Sequence, residues 1–481
     1  MAKAVRQTAQ DAARNGPFLE RVSPVSGLVV TRVRAAEVAD ARQAANRAAA
    51  AFPKWSQTSP SDRREILNRA AQILLDRREE FIAKICEETG GTRAWGELNC
   101  KLGAAILREA AALTTQLSGE VIPADRPGSL ALAVRQPCGV VLSLAPWNAP
   151  IVLSVRSLAT PLACGNTVVF KASELCPGTH QLVGDVFQQA GLPDGAVAIV
   201  HNEEHHASEI VEALIAHPAV RRVNFTGSTR SGRMVAEMAA RHLKKALLEL
   251  GGKAPLIVLA DADLNEAVRA AAFGAFFHQG QLCMSTERLL VDETVADTFL
   301  EKLSAELQRL GFGDPNDPGN AIGPMISEQA AMRVKALVDD AVSKGARLVA
   351  GGTQQSVWMD ATILDGVRPD MRIYYEESFG PVASLIRFSD VEEAVSIAND
   401  TEYGLTAAVF SQDVTRALSI AQRLETGICH INSATIHDEP QMPFGGVKSS
   451  GYGRFGGRAG IEEFTELRWI TIQSGKPDYP I

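Results

Sequence analysis

No apolar run in this sequence approaches the ~18 residues that a bilayer-spanning helix needs. The opening stretch Met1 to Gln7 lacks the apolar centre of a secretory signal. No basic stretch with interleaved aromatics occurs, and the net charge is −8, so neither a membrane nor a nucleic acid is an expected partner. The seven cysteines (86, 100, 138, 164, 176, 283, 429) are odd in number and unpaired in spacing, which excludes a disulfide framework. No Cys/His cluster has zinc spacing. His205, His206 and His430 stand without co-ligands in the sequence, so no metal is expected. The expected setting is a reducing cytoplasm.

What is present is an ordinary globular composition, 46% apolar and 22% charged. With 481 residues the chain exceeds what one core supports, so two or three domains are expected. Residues 1 to about 18 read as a polar lead-in. From Ala35 to Arg78 apolar residues recur at helical spacing (Ile66, Ala70, Ile73, Leu74), with Ser59-Pro60-Ser61-Asp62 as a helix start, and Phe81 to Leu117 continues helical. Short extended pieces follow around 121–138.

Gly139 to Ala145 is nearly continuously apolar, as in a strand buried on both faces of a parallel sheet. It ends in Pro146-Trp147-Asn148, at the strand end where open α/β sheets place ligands. Strands and helices then alternate: Asn166 to Lys171, a helix near 178–190, Ala196 to Val200, a helix near 206–216, Val220 to Phe225, and a helix to about 245. This rhythm predicts a doubly wound α/β sheet. A second α/β unit opens at Leu247 to Leu259 and carries Cys283, followed by helices near 294–309, 328–344, 390–398 and 413–424. The tail Phe464 to Ile472 reads as a strand that pairs either with the 129–134 region or with another subunit.

Several residues have two readings. Cys283 lies between an alanine-rich helical run, closed by Gly280, and the strand-like Arg288 to Val291; it is either a packed cysteine or a thiol presented to a ligand. Gly227-Ser228-Thr229-Arg230-Ser231-Gly232 is either a tight turn or a phosphate site at a helix start. Lys171 and Glu174 are either a surface ion pair or a receptor for a ribose, whose free 2′ and 3′ hydroxyls a carboxylate binds. Glu249, among leucines, is either a helix-end carboxylate or a general base whose acidity burial weakens. Asn148 either caps the following helix or donates its amide to a developing oxyanion, which is worth about 3 kcal/mol in a transition state.

Six motifs resolve these pairs by resemblance: Pro146-Trp147-Asn148, Phe225 to Thr229, Glu249 to Lys253, Gly280 to Cys283, Glu377 to Pro381 and Pro443 to Gly451. In this order, and over about 20–475, the chain resembles the aldehyde dehydrogenase superfamily. The resemblance implies Cys283 as nucleophile, Glu249 as the base that activates water, and Asn148 with the Cys283 N–H as the oxyanion site. It implies NAD as cofactor, with Gly227, Ser228 and Gly232 at the pyrophosphate and Lys171 and Glu174 at the adenosine ribose. Glu377 would hold the nicotinamide ribose, with Trp147 and Phe379 also on the cofactor.

The family fold implies an NAD-binding domain at 1–120 and 139–249 and a catalytic domain at 250–445. An oligomerisation arm at 121–138 and 460–481 would make the assembly a homodimer or homotetramer. Further stretches (Arg135 to Gly139, Thr426 to Asn432, His437 to Pro443, Leu467-Arg468-Trp469 and Tyr479-Pro480-Ile481) resemble the bacterial vanillin dehydrogenase group, with salicylaldehyde and benzaldehyde dehydrogenases close behind. The substrate implied is a small aromatic aldehyde. Many relatives carry an aromatic residue and then a lysine on the helix after Asn148, where this chain has Arg156-Ser157. Arg156 either reaches a ring oxygen of the substrate or is salt-bridged at the pocket rim; Leu282 and Met284 flank the thiol and are expected to pack the ring. A coenzyme-A-acylating enzyme and a catalytically silent relative are the alternatives, against which Glu249 and the intact Cys283, Glu249 and Asn148 respectively argue.

Overall fold

The computed structural model describes residues 17–476 and 479–480. The lead-in expected for residues 1 to about 18 lies almost wholly outside them, as does Ile481. The described chain opens with an antiparallel hairpin, Phe18–Val22 and Val29–Arg34, and then four helices, Val38–Ser56, Pro60–Asp76, Arg78–Thr89 and Arg93–Leu113. Ser59 caps the second helix by accepting the N–H of Asp62. The helical stretch expected over Phe81 to Leu117 is two helices, the second ending at Leu113. Gly90, at φ +70°, closes the first, and the Thr92 hydroxyl caps the second.

A six-stranded sheet follows, in the order Gly451–Tyr452, Lys245–Glu249, Val220–Thr226, Val140–Leu144, Thr167–Lys171, Val197–Val200. All neighbours are parallel except Gly451–Tyr452. Val140–Leu144 and Thr167–Lys171 are buried at every residue, which explains their unbroken apolar runs. Successive strands leave Val140–Leu144 on one side towards Thr167–Lys171, and the chain later returns on its other side as Val220–Thr226. That reversal opens a crevice at the strands' carboxyl ends, beside Trp147 and Gly227.

The helix expected to run to about 245 ends at Arg241. Leu243 adopts φ +52°, a left-handed conformation that stops a helix, and Lys245–Glu249 is a strand whose last four residues are buried. Glu249 therefore ends a buried strand and is not a helix-end carboxylate.

A second sheet of seven strands runs Arg347–Ala350, Thr362–Asp365, Val382–Phe388, Thr286–Asp292, Ala254–Val258, Thr406–Phe410, Ile428–Ile431, parallel except at Arg347–Ala350. Helices Leu264–Phe276, Ala296–Leu307, Glu328–Ser343, Val391–Asn399 and Val414–Ala421 accompany it. The expected α/β architecture of parallel sheets is thus present. Thr465–Gln473 pairs antiparallel along all of Ser129–Pro137, which also pairs Glu120–Ile122. The tail strand so takes the first of its two expected partners. Among the described residues no helix is long and apolar enough to cross a membrane.

Candidate active site

The turn that carries Cys283 is conformationally costly. Helix Leu264–Phe276, capped by the Asp263 carboxylate, gives way to three consecutive residues in the left-handed region: His278 (φ +49°), Gln279 (+56°) and Gly280 (+67°). Two of them carry side chains, and such residues persist only where their surroundings hold them. Gln279 Nε2 donates to the carbonyls of Gly90 and Pro324 at 3.2 and 2.8 Å, and the His278 ring stacks on Trp95 at 4.6 Å. Gly280 is required twice over, since a β-carbon there would lie 2.1 Å from the Gly380 carbonyl oxygen. The chain then delivers Cys283, partly exposed, just before strand Thr286–Asp292.

Glu249 ends its strand 1% exposed, and neither carboxylate oxygen has a hydrogen-bonding partner. Burial raises its pKa from the usual 4.5 to about 7, with the Arg156 charge and the Cys283 thiol pulling the other way. The Cys283 thiol is pushed well above its ordinary range, first by burial and then by the negative charge of Glu249. Asn148 is 5% exposed, and its Nδ2 donates one hydrogen to the Gln281 carbonyl at 3.1 Å, which leaves the second available. Asn148 does not cap the next helix: Ala149 is the N-cap of Pro150–Ala163, with no side-chain bond.

Two cavities meet at these residues. A cleft of about 670 Å³ and a pocket of about 230 Å³ share Asn148, Leu153 and Cys283 as lining, and Glu249 lines the cleft. One sulfur is thus reachable from both sides. Of the expected cofactor residues, Trp147, Gly227, Ser228, Glu377 and Phe379 line the cleft. Trp147 and Phe379 meet edge to face at 6.1 Å. Ser228 caps helix Thr229–Arg241 through the Ser231 N–H, so the first free N–H groups of that helix open on the cleft. Glu377 accepts from the Gly252 N–H at 2.9 Å, and burial raises its pKa to about 8.

Three expected cofactor residues stand outside that lining. A β-carbon on Gly232 would lie 2.4 Å from Leu250, so this glycine lets the helix pack on the sheet. Lys171 and Glu174 pair at 2.5 Å, with Asn202 donating to the same Glu174 oxygen at 2.7 Å. The pair is largely buried, not a surface one. The expectation that His205 and His206 lack a co-ligand is overturned: the fold brings Glu203 beside both, with ligand atoms of the three within 4.8 Å of one another. The His430 ring lies tilted against that of His437, with centroids 5.1 Å apart.

The smaller pocket is walled by Leu98, Leu102, Val152, Phe273, Leu282 and Met284, with Trp95, Arg156 and Asp438 also present. Of its two readings Arg156 shows the salt-bridged one: it lines the pocket, and its Nη2 donates to Asp438 Oδ2. Its guanidinium also lies 4.3 Å from the Phe444 ring centroid.

Sequence reasoning missed the groups that hold the site together. Lys253, fully buried, donates to Glu287 Oε2 at 2.5 Å and to the Glu376 carbonyl at 2.7 Å. Glu287 in turn accepts the N–H groups of Ser378 and Phe379, which fixes the backbone beside Glu377. Two charged residues, Glu287-Arg288, running directly into the apolar Leu289-Leu290-Val291 of one strand were the available signal. Asp438, in a loop without periodicity, gave none.

Residues 11–470 match the aldehyde dehydrogenase family model. A vanillin dehydrogenase of Pseudomonas fluorescens is 58% identical over 469 residues, 98% of this chain and 97% of its own. The crystal structure of a salicylaldehyde dehydrogenase from Pseudomonas putida G7, complexed with salicylaldehyde, superposes with a TM-score of 0.95 at 48% identity, covering 97% of this chain and 96% of that one. An NAD-dependent aldehyde dehydrogenase from Sinorhizobium meliloti gives 0.93 at 36%, covering 96% and 93%. Matched along nearly its whole length, the chain belongs to the aldehyde dehydrogenase family.

Proposed function

We propose that this enzyme oxidises an aromatic aldehyde, vanillin or a related hydroxybenzaldehyde, to the carboxylic acid, with NAD as acceptor and Cys283 as covalent nucleophile. The observation that carries this reading is the position of Cys283 at the junction of an apolar, ring-sized pocket and a dinucleotide-sized cleft. The substrates printed for the relatives support it.

The residues of the cleft suit NAD. The start of helix Thr229–Arg241 offers N–H groups to a pyrophosphate. Glu377 keeps Oε2 as an acceptor for a ribose hydroxyl, and a β-carbon on Gly251 would meet that oxygen at 2.6 Å. Lys171 and Glu174 remain the proposed adenosine-ribose pair, with a carboxylate that disfavours a 2′-phosphate. NAD bound there supplies the two-electron acceptor for the hydride that leaves the substrate carbon.

The chain's own groups do the rest. Glu249, half ionised near neutrality, can take the thiol proton of Cys283, whose sulfur then adds to the aldehyde carbon. The resulting oxyanion accepts the unengaged Nδ2 hydrogen of Asn148 and the Cys283 N–H. After oxidation the substrate is a thioester on Cys283; Glu249, once it has passed the thiol proton to solvent, deprotonates the water that adds to the thioester, releasing the acid and freeing the Cys283 sulfur.

The assembly proposed is a homodimer or homotetramer. It would be built on the sheet of 121–138 and the tail, whose Val121, Leu467, Trp469 and Ile472 are exposed. The division into an NAD-binding domain, a catalytic domain and this arm, and a reducing cytoplasm as the setting, belong to the same proposal. The experiment is the absorbance of NADH on mixing the enzyme with NAD or NADP and vanillin, salicylaldehyde, benzaldehyde or an aliphatic aldehyde. Vanillin or another hydroxybenzaldehyde with NAD should give the largest kcat/KM. Cys283→Ala should abolish turnover while NAD still binds; no signal with any aromatic aldehyde would overturn the reading.

A further inference from the structure

The smaller pocket holds an acceptor that nothing in the protein satisfies. Asp438 has a side chain 7% exposed, its Oδ2 takes the Arg156 Nη2 donor, and its Oδ1 has no partner. The other polar groups of the pocket are engaged or lie elsewhere in the reaction. Asn99 accepts from the Val152 N–H and donates to the Trp95 carbonyl. His437 is half exposed and pairs with Glu439 at 3.0 Å. Asn148 and Cys283 stand at the junction with the cleft. A buried acceptor left unmade costs roughly 1–3 kcal/mol, and more when charged. The remaining wall is apolar and has no donor to offer.

We infer that Asp438 Oδ1 is the receptor for a ring hydroxyl of the substrate, with Arg156 as the residue that orients it. The inference rests on the aromatic-aldehyde reading and narrows it to ring-hydroxylated aldehydes bound as neutral phenols. The phenol O–H donates to Oδ1, while an ether oxygen has no hydrogen to donate and a phenolate would set a second negative charge against the carboxylate. Asp438 lines the pocket with Oδ1 as its unpaired oxygen, while Arg156, packed against the Phe444 ring, holds Oδ2. Selectivity of this kind is strong because a missing donor leaves the acceptor unpaired, whereas a missing methyl group costs little.

The test is a panel of benzaldehyde, the three monohydroxybenzaldehydes and their methyl ethers, with NAD, on the wild type, Asp438→Ala and the double variant Arg156→Met with Asp438→Leu. In the wild type the best hydroxybenzaldehyde should exceed its own methyl ether in kcat/KM by about tenfold or more, the worth of a hydrogen bond to a charged group. In both variants that ratio should fall close to one, whatever happens to the absolute rates. The double variant removes both charges, so it escapes the cost of a buried unpaired arginine. The wild-type ratio needs no variant at all. Benzaldehyde turnover with no preference for hydroxyl over methoxy at any ring position, or a preference that survives in the variants, overturns the inference alone. Failure to oxidise benzaldehyde or any of the panel overturns the aromatic-aldehyde reading and the inference with it.

Discussion

The α-carbon of Gly252 lies so close to the carbonyl of Cys283 that a β-carbon there would sit 2.4 Å from that oxygen. The loop after Glu249 and the turn that presents the thiol are therefore in backbone contact, and the spacing of base and nucleophile depends on a missing side chain.

Gly252→Ala should push the two segments apart. We expect kcat to fall by at least about tenfold, since small misplacements of reacting groups cost rates of that size or more. Circular dichroism should show the fold retained. A fully active alanine variant would show that the contact yields without consequence.

Glu249 gives two pH signatures. Its raised pKa, about 7, predicts that the hydrolytic step rises with pH and levels off above that value, because the carboxylate is the active form. A stopped-flow pH profile of the step after NADH formation reads this. The same shift bears on stability. A carboxyl raised from 4.5 to about 7 favours the fold fully below pH 4.5, and loses that contribution as pH rises through 7. Glu249→Gln should thus be more stable than the wild type above pH 7, by on the order of 3 kcal/mol, with the difference vanishing towards pH 4.5. Urea midpoints at several pH values check it.

Glu287→Ala should leave the Lys253 ammonium buried without its countercharge and free the N–H groups of Ser378 and Phe379. Breaking such a pair costs about 3–5 kcal/mol. The urea midpoint should drop accordingly, and the KM for NAD should rise, since the backbone beside Glu377 loses its anchor.

Trp469 is 77% exposed on strand Thr465–Gln473, in line with exposed Leu467. An exposed apolar row of this kind is the surface that the proposed oligomer would cover. Trp469→Asp should shift sedimentation towards a smaller species; an unchanged assembly would remove the arm from the interface.

The sequence carried the alternation of strands and helices because burial on both faces leaves continuous apolar runs, as in Val140–Leu144 and Thr167–Lys171. It failed at Lys245–Glu249, where five residues after a helix are too few for periodicity to tell a strand from a helix end. Cys283, Glu249 and Asn148 were legible as residue types in recognisable motifs, and the fold brings all three to one cleft. Gly232 was legible as a glycine near a helix start, but its close approach to Leu250, a residue of the cleft wall, was not.

Pattern along the chain determined the continuously apolar strands, which loops end at the ligand crevice, and which thiol stands among chemistry-bearing neighbours. Tertiary structure alone decided how acidic Glu249 is, which carboxylate holds the loop at Ser378, and that Arg156 meets Asp438 across 282 residues of chain. Periodicity records how often a position faces the interior, a property of nearby residues. A shifted pKa or an unpaired oxygen records which atoms from distant segments surround one group, and that is set only when the segments pack.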